Sequence, residues 1–294
     1  MSKHAEKEVA RSEGARTWAA LGKSLNIYSY GTAEVYKDTW HQACHWAKDN
    51  LGVRDVETLQ GEHIKSFLES RIADGIKYST FQRESAALSK FENAMNMYAD
   101  RDGKHNEYNF REAIQDVRRE ASEVLDKTIE TRAYDDPKSL ISALSNDDYK
   151  VVASIQHESG ARINEVWQIE TNDLKGMKLD PFSKEFKGYV EVTGKGGKER
   201  EIALSIDTYK QIENILQEKG NTEFDKDEYR NSLKEAAELS GQDYTGSHGL
   251  RWNFAVERME ELQGTGMTYE ERLQEVSWEM GHERADITLH YLAR

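Results

Sequence analysis

The sequence predicts a mainly helical protein with two domains, the second of which also carries a small antiparallel sheet. Its 294 residues are enough for two independent hydrophobic cores. In the first third of the chain, apolar residues recur every three or four positions and no segment alternates as a strand would. Further on, segments 189–193 and 200–204 do alternate and flank a glycine-rich turn, which predicts a β-hairpin.

Composition indicates a globular protein that acts in a reducing compartment. Hydrophobic residues make up 37% of the chain and aromatic residues 10%, more than a disordered chain would carry. No apolar run approaches the roughly 20 residues of a membrane helix, and the N-terminus is charged, so we expect neither a membrane span nor a signal peptide. The single cysteine, Cys44, excludes an internal disulfide and a cysteine-rich metal site and fits a cytoplasmic location.

The chain is acidic, with 40 basic and 54 acidic residues and a net charge of −14. Residues 201–294 hold 10 of the basic and 20 of the acidic residues and so supply most of that charge. This balance argues against a nucleic-acid partner unless the basic residues cluster locally, because binding depends on local potential and not on the sum.

The elements of the first domain follow from the apolar spacing. Residues 1–20 are polar and without pattern, and we expect a flexible lead-in. Residues 21–104 contain three amphipathic runs, which predict a small helical domain. Gly52 follows the first run as a C-cap signal, and the second run stops near Gly75.

A further helical segment and the second domain follow. Residues 105–130 form a charged helical run, which we interpret as a linker or an extra helix, and we place the domain boundary near 130. Pro137 suits the first turn of a helix. A second helix runs from about 146 to 158 and ends at Gly160.

Residues with chemical potential concentrate near the end of the chain. His248 and Arg251 lie three apart at the start of an amphipathic run, so a helix places both on one face, where they can hold one anion. His282 follows a glycine, on a helix that starts with a capping box at Thr268. Tyr291 stands nine residues after His282, where a phenol has little else to pack against.

Four motifs in this order resemble the active site of the tyrosine recombinases, or phage integrases. Residues 159–166 (SGARINEV) are similar to the family's first arginine motif, and residues 194–200 (GKGGKER) to its lysine hairpin. His248-x-x-Arg251 and Gly281-His282 with Tyr291 complete the set. The resemblance covers residues 131–294 and implies an α+β catalytic domain behind a helical, SAM-like core-binding domain.

The resemblance implies a role for each motif residue. Arg162 and Arg251 would hold the non-bridging oxygens of one phosphate, where planar guanidinium groups act well on growing charge. Lys195 would protonate the departing 5′ oxygen, although a flexible turn could present Lys198 instead. His248 and His282 would help to deprotonate the tyrosine and hydrogen-bond the phosphate. Tyr291 would be the nucleophile and form a 3′-phosphotyrosine link.

Other basic residues are candidate DNA contacts. The segment from Tyr78 resembles a DNA-facing helix of the core-binding domain, so Lys77, Arg83 and Lys90 are predicted phosphate contacts, with a solvated helix face as the alternative. The hairpin adds Lys198 and Arg200. Glu165 is assigned a supporting role beside Arg162.

The implied function is site-specific DNA recombination, without metal, cofactor or ATP. The partners would be double-stranded DNA and three further copies in a homo-tetramer on DNA, with a monomer in solution; whether accessory DNA-bending or directionality proteins take part stays open. The alternatives are a catalytically weak DNA-binding partner of the same fold, type IB topoisomerase-like nicking and relaxation, or a helical interaction protein.

Two features depart from the family pattern. Only residues 292–294 follow Tyr291, whereas members commonly carry a tail that docks on the neighbouring subunit, so either the chain continues or the subunits communicate through another surface. Trp252 follows Arg251 where many members have histidine, and we expect it to pack. The short lead-in leaves no room for an arm-binding domain, which favours a Xer- or Cre-like two-domain layout.

Overall fold

The computed structural model describes residues 25–103, 107–194 and 196–293. The predicted lead-in at 1–20 and the proposed general acid, Lys195, lie outside the described residues. The chain divides into two compact units, Met1–Thr128 and Ile129–Arg294. Within the described ranges, no helix is long and apolar enough to cross a membrane.

The first unit is helical, as predicted. In the residues of this unit that the structure describes, the α-helices with stated bounds are α1 (Tyr30–Leu51), α2 (Gly61–Ala73), α3 (Tyr78–Arg101) and α4 (Phe110–Val124). The predicted stop after α1 is confirmed, because Gly52 adopts a left-handed φ of 73° and its N–H bonds to the carbonyls of the last turn. Trp40 stacks on Phe91 at 5.1 Å in the core.

Helix α4 occupies the segment that the sequence left as a linker or an extra helix. Its apolar face, with Phe110, Ile114 and Val117, packs into the same core as α2 and α3. The buried carboxylate of Glu92 on α3 accepts hydrogen bonds of 2.7 Å from the backbone N–H groups of Phe110 and Arg111. A charge on one helix therefore caps the first turn of another.

The second unit combines eight helices with a three-stranded sheet in the part that the structure describes. The helices are α5 (Pro137–Ala143), α6 (Asp147–Ser159), α7 (Ile163–Val166), α8 (Ile206–Lys219), α9 (Lys226–Leu239), α10 (Ser247–Glu261), α11 (Tyr269–Glu279) and α12 (Asp286–Tyr291). The strands are β1 (Leu174–Leu179), β2 (Phe186–Thr193) and β3 (Glu199–Leu204). Three predicted starts are confirmed: Pro137 lies in the first turn of α5, Asn146 caps α6, and the capping box at Thr268 opens α11.

The sheet is antiparallel in the order β1-β2-β3, and its second hairpin is the predicted one. Val190 pairs with Ile202, and Thr193 with Glu199, so the lysine- and glycine-rich turn projects from the end of the sheet. Strand β1 was missed, because four of its six residues are exposed and give no alternation. Gly188 lets β2 approach α8, since a Cβ there would lie 2.1 Å from the Tyr209 ring.

Two hydrophobic clusters hold the helices and the sheet of the second unit together. The larger packs α6, α8 and α9 against the inner face of β2 and β3. The smaller joins α10, α11 and α12 and includes Trp252, Val276, Met280 and Tyr291. Tyr291 is thus held inside a packed cluster together with α10, the helix that carries His248 and Arg251.

Candidate active site

Arg251 lies at the centre of the predicted site and is fully buried. Its guanidinium donates to four neutral acceptors. Nη2 lies 2.6 Å from the Met280 carbonyl oxygen and 2.8 Å from His282 Nε2, Nη1 bonds to the Gly160 carbonyl, and Nε lies 3.3 Å from the Tyr291 hydroxyl. Burial lowers the pKa of Arg251 to about 10, and the charge of Arg162 adds to this effect.

Arg162 enters the site from the turn that ends α6. Gly160 takes a left-handed φ of 63°, and a Cβ there would lie 2.5 Å from the Phe254 ring. Glycine is therefore required, and it turns the chain so that Arg162 caps α7. Arg162 Nη2 lies 3.4 Å from His282 Nε2, which puts both arginines on the same imidazole nitrogen.

Glu165 is a buried carboxylate that links Arg162 to Arg200. It accepts from the Arg162 backbone N–H at 2.7 Å, from Arg162 Nη1 at 2.8 Å and from Arg200 Nη2 at 2.8 Å. Burial alone would raise the pKa of Glu165, but the hydrogen bonds and charges of Arg200 and Arg162 outweigh it and bring the pKa to about 2. The carboxylate is ionised at any physiological pH.

His282 is presented by a turn that closes α11. Gly281 is left-handed at φ 73°, and the N–H groups of Gly281 and His282 bond back to Trp278 and Ser277. Because Nε2 receives N–H groups from two arginines, it is an acceptor and the ring is neutral. Burial, then the charges of Arg251 and Arg162, lower the pKa of His282 to about 4.

His248 lies in the first turn of α10 and is also close to the tyrosine. Its ring centroid is 5.7 Å from that of Tyr291, and the His282 centroid is 6.1 Å from it. Burial, then the charges of Arg251, Arg132 and Arg162, lower the pKa of His248 to about 4. Near neutral pH both imidazoles are therefore neutral. The lone pair of His282 Nε2 already accepts from the two arginines, which leaves His248 as the candidate base.

Tyr291 is the last residue of α12 and is only 5% exposed. Its ring packs against Trp252, which is buried beside Arg251, at a centroid distance of 5.3 Å. Thr288 Oγ1 donates to the Leu273 carbonyl at 2.9 Å and so ties α12 to α11. The hydroxyl is the only polar part of the side chain and faces Arg251.

The hairpin turn reaches the same region. Arg200 on β3 donates from Nε to the Glu279 carbonyl at 3.0 Å, and a Cβ at Gly281 would lie 3.0 Å from its guanidinium. Lys198 forms an exposed ion pair with Glu283, next to His282. Arg200 and Lys198 of the hairpin thus contact the end of α11 and the turn that follows it, where His282 lies.

Comparison with solved structures decides the fold. The XerH site-specific recombinase bound to palindromic difH substrate has 16% sequence identity and a TM-score of 0.57, over 86% of this chain and 72% of that chain. The Tn1549 transposon integrase in complex with transposon right end DNA has 15% identity and a TM-score of 0.57, over 95% and 94%. A lambda integrase dimer bound to a COC′ core site has 16% identity and a TM-score of 0.61, over 94% and 76%.

This chain has the tyrosine recombinase fold. No family model matches the sequence, and no curated protein matches it either. The fold predicted from the motifs, with its helical first domain and small antiparallel sheet, is confirmed.

Five predicted catalytic residues converge in this recombinase fold: Arg162, His248, Arg251, His282 and Tyr291. Arg200, predicted to touch DNA, has a largely buried side chain that is bonded to Glu165, and its contact with DNA stays a prediction. The predicted contacts of the first unit lie along α3, with Lys77 and Arg83 exposed and Lys90 half-buried.

Sequence reasoning missed two parts of the site. The link from Glu165 to Arg200 spans 35 residues and depends on the sheet register, which no local signal gives. Arg132, whose charge acts on His248, comes from 116 positions earlier in the chain and belongs to no motif. Among the described residues, no group of three His, Cys, Asp or Glu side chains is placed to hold a metal ion.

Proposed function

We propose that this chain is a site-specific DNA recombinase that cleaves and rejoins DNA through a 3′-phosphotyrosine intermediate. One observation carries the proposal: the Tyr291 hydroxyl lies 3.3 Å from Arg251 Nε, in a pocket that also holds Arg162 and two neutral histidines. A phenol needs a neutralised phosphate and a nearby base before it can attack at neutral pH, and these residues supply both.

The arginines bind the reacting phosphate in this mechanism. The guanidinium groups of Arg162 and Arg251 take its two non-bridging oxygens and stabilise the charge that grows on the phosphorane. Glu165 holds Arg162 in place, because it fixes both the backbone and the side chain of that residue.

Two proton transfers complete the cleavage step. The Tyr291 oxygen bonds to phosphorus while the bond from phosphorus to the 5′ oxygen breaks. His248 takes the tyrosine proton, and the 5′ oxygen receives a proton from Lys195, with Lys198 as the alternative. The products are a 3′-phosphotyrosine and a 5′-hydroxyl, and attack by a second strand's 5′-hydroxyl reverses the step.

The substrate phosphate reaches Arg251 only after a movement in the protein. Arg251 is fully buried and Tyr291 is 5% exposed, whereas Arg162, His248 and His282 are partly exposed. Helix α12 is six residues long, carries Tyr291 and packs against α10 and α11. We infer that DNA binding moves α12 outward and lets the phosphate replace the Met280 and Gly160 carbonyls on Arg251.

The partner in this proposal is duplex DNA, recombined in the cytoplasm by a homo-tetramer that assembles from monomers on two sites. The first unit holds the DNA through Lys77, Arg83 and Lys90, and accessory DNA-bending proteins could assist. Each of these contacts adds more to affinity than to sequence choice.

Covalent capture tests the proposal. Wild type and Tyr291→Phe are incubated in chelator with a library of random-sequence duplexes. Each duplex has a nick in the strand to be cleaved, so that cleavage near the nick releases a short fragment that diffuses away and cannot be rejoined. We expect a protein–DNA band on a denaturing gel for the wild type only, and sequencing of the trapped DNA gives the target site. If the duplexes bind and neither protein forms the band, the chain is a DNA-binding partner and not an enzyme. Relaxation of a plasmid that lacks the trapped site supports the topoisomerase-like alternative.

The same assay separates the two lysines. A duplex with sulfur in place of the scissile 5′ oxygen has a leaving group that needs no proton, so it bypasses the general acid. We expect Lys195→Ala to be inactive on normal DNA and active on the sulfur-containing duplex, while Lys198→Ala cleaves both. The reverse pattern assigns the role to Lys198.

A further inference from the structure

A strap of backbone at residues 132–134 is clamped over the first turn of α10. Asn253 Oδ1 accepts from the Tyr134 N–H at 2.9 Å, and Asn253 Nδ2 donates to the Tyr134 carbonyl at 2.7 Å. The Tyr134 hydroxyl lies 3.2 Å from the Gly246 carbonyl. This strap, defined here as residues 132–134, is held by both its backbone and its side chain.

Glycine at position 249 allows this close approach. A Cβ on Gly249 would lie 2.6 Å from the Arg132 carbonyl oxygen and 2.7 Å from the Tyr134 ring. Gly249, which directly follows His248 in the motif, therefore leaves room for the strap. The strap in turn fixes the backbone position of Arg132.

Arg132 lies near His248, and no described carboxylate neutralises the charge of its guanidinium group. It is exposed, and among the described residues its guanidinium donates only to the Thr245 carbonyl, at 2.5 Å. Arg162, Arg200 and Arg258 each contact a carboxylate, whereas no described carboxylate lies within ion-pair distance of Arg132. In a chain with 54 acidic residues, a fixed arginine of this kind leaves a positive site at the pocket edge.

We propose that Arg132 binds a DNA backbone phosphate next to the one that Tyr291 attacks. The proposal rests on the proposed function and extends the site from one phosphate to two. The guanidinium fork matches phosphate oxygens, and its one bond to a neutral carbonyl leaves most of its donors for the ligand. A base edge is the less suitable ligand, because the strap holds Arg132 beside the phosphate pocket formed by Arg251 and His248.

The first test measures salt dependence on a random-sequence duplex. We expect Arg132→Gln to make the slope of log affinity against log salt shallower by about 0.9, the value for one lost phosphate contact. Lys210→Gln is the matched control, since it removes the same charge from an exposed position on α8 that carries no site residue. An equal slope change in both variants, or none in Arg132→Gln, overturns the proposal.

The second test locates the phosphate on the captured target site. Each phosphate near the cleavage point is replaced in turn by a neutral methylphosphonate, and the cleavage rate is measured. We expect one non-scissile position at which the methylphosphonate lowers the cleavage rate of the wild type but does not lower that of Arg132→Gln. Arg132→Lys should show an intermediate decrease in rate at that position. If Arg132→Gln responds at every position as the wild type does, the contact does not exist. If the wild type forms no covalent product at all, the proposed function fails instead.

Discussion

Replacement of Glu165 by glutamine tests whether one carboxylate organises the site. Three donors converge on Glu165 within 2.8 Å, and two of them share Oε2. Glutamine keeps one acceptor oxygen and turns an N–H₂ group toward a guanidinium, so at least one donor loses its partner and two arginines lose their counter-charge. Loss of one partner from a buried ion pair costs about 3–5 kcal/mol.

The lower end of that range applies here, because water can reach part of both arginines. Their side chains are 29% exposed for Arg162 and 13% for Arg200, whereas Glu165 is 2% exposed. We therefore expect a loss of about 3 kcal/mol in the free energy of unfolding. For a unit of this size, roughly 2–4 °C per kcal/mol converts this to a fall of about 6–12 °C in melting temperature.

Thermal unfolding by circular dichroism at several pH values checks this reasoning. The pKa of Glu165 is depressed in the folded protein to about 2, so its contribution is complete above its ordinary pKa of 4.5 and is lost as pH falls from there toward 2. The gap between wild type and Glu165→Gln should thus be widest near neutral pH and narrow below pH 4.5. Glu201→Gln, which breaks an exposed pair with Lys178, should change the melting temperature by less than about 2 °C. A gap below 2 °C for Glu165→Gln at pH 7 would refute the argument.

Three further results are expected. Gly188→Ala should destabilise the second unit by about 1–3 kcal/mol in urea unfolding, because the new methyl group meets the Tyr209 ring at 2.1 Å; an unchanged midpoint would mean that the sheet and α8 yield easily. Glu92→Gln should cost about 1 kcal/mol and speed hydrogen exchange of the first amides of α4, which the wild-type carboxylate caps. In DNA-free protein, NMR titration of His248 and His282 should give midpoints near 4 and not near 6.5. Because both values are depressed, the stability they contribute is complete above pH 6.5 and is lost as pH falls toward 4.

The sequence predicted those parts of the fold that local chemistry determines. Gly52 and Gly160 end helices because glycine adopts the left-handed conformation at low cost, and Thr268 starts one because its hydroxyl accepts from the third N–H of the helix. Strand β1 has no such signal. Its last four residues are exposed whichever face of the sheet they lie on. The segment is a strand because it pairs with β2, and not because one of its faces is buried.

The candidate site divides in the same way. The three-residue spacing of His248 and Arg251 predicted that they share one helix face, and the resemblance to the tyrosine recombinases added Tyr291 to the same site. The residues that support the motifs come from distant segments and could not be predicted. Arg200 reaches Glu165 through the register of the sheet. Arg132 reaches the region of His248 through a strap that packs on Gly249. Only the folded chain places them.

The acidic total and the proposed DNA substrate are compatible because of how Arg251 is held. Its donors bond to two carbonyls, an imidazole and a phenol, and none of these neutralises its charge. Burial without an anion disfavours the charged guanidinium, which is why the pKa of Arg251 falls to about 10. A phosphate that replaces the carbonyls gives stronger, charge-assisted bonds and removes that penalty. Carboxylates elsewhere on the surface can set the net charge, while Arg251 keeps a positive charge that no carboxylate contacts directly and that a bound phosphate can neutralise.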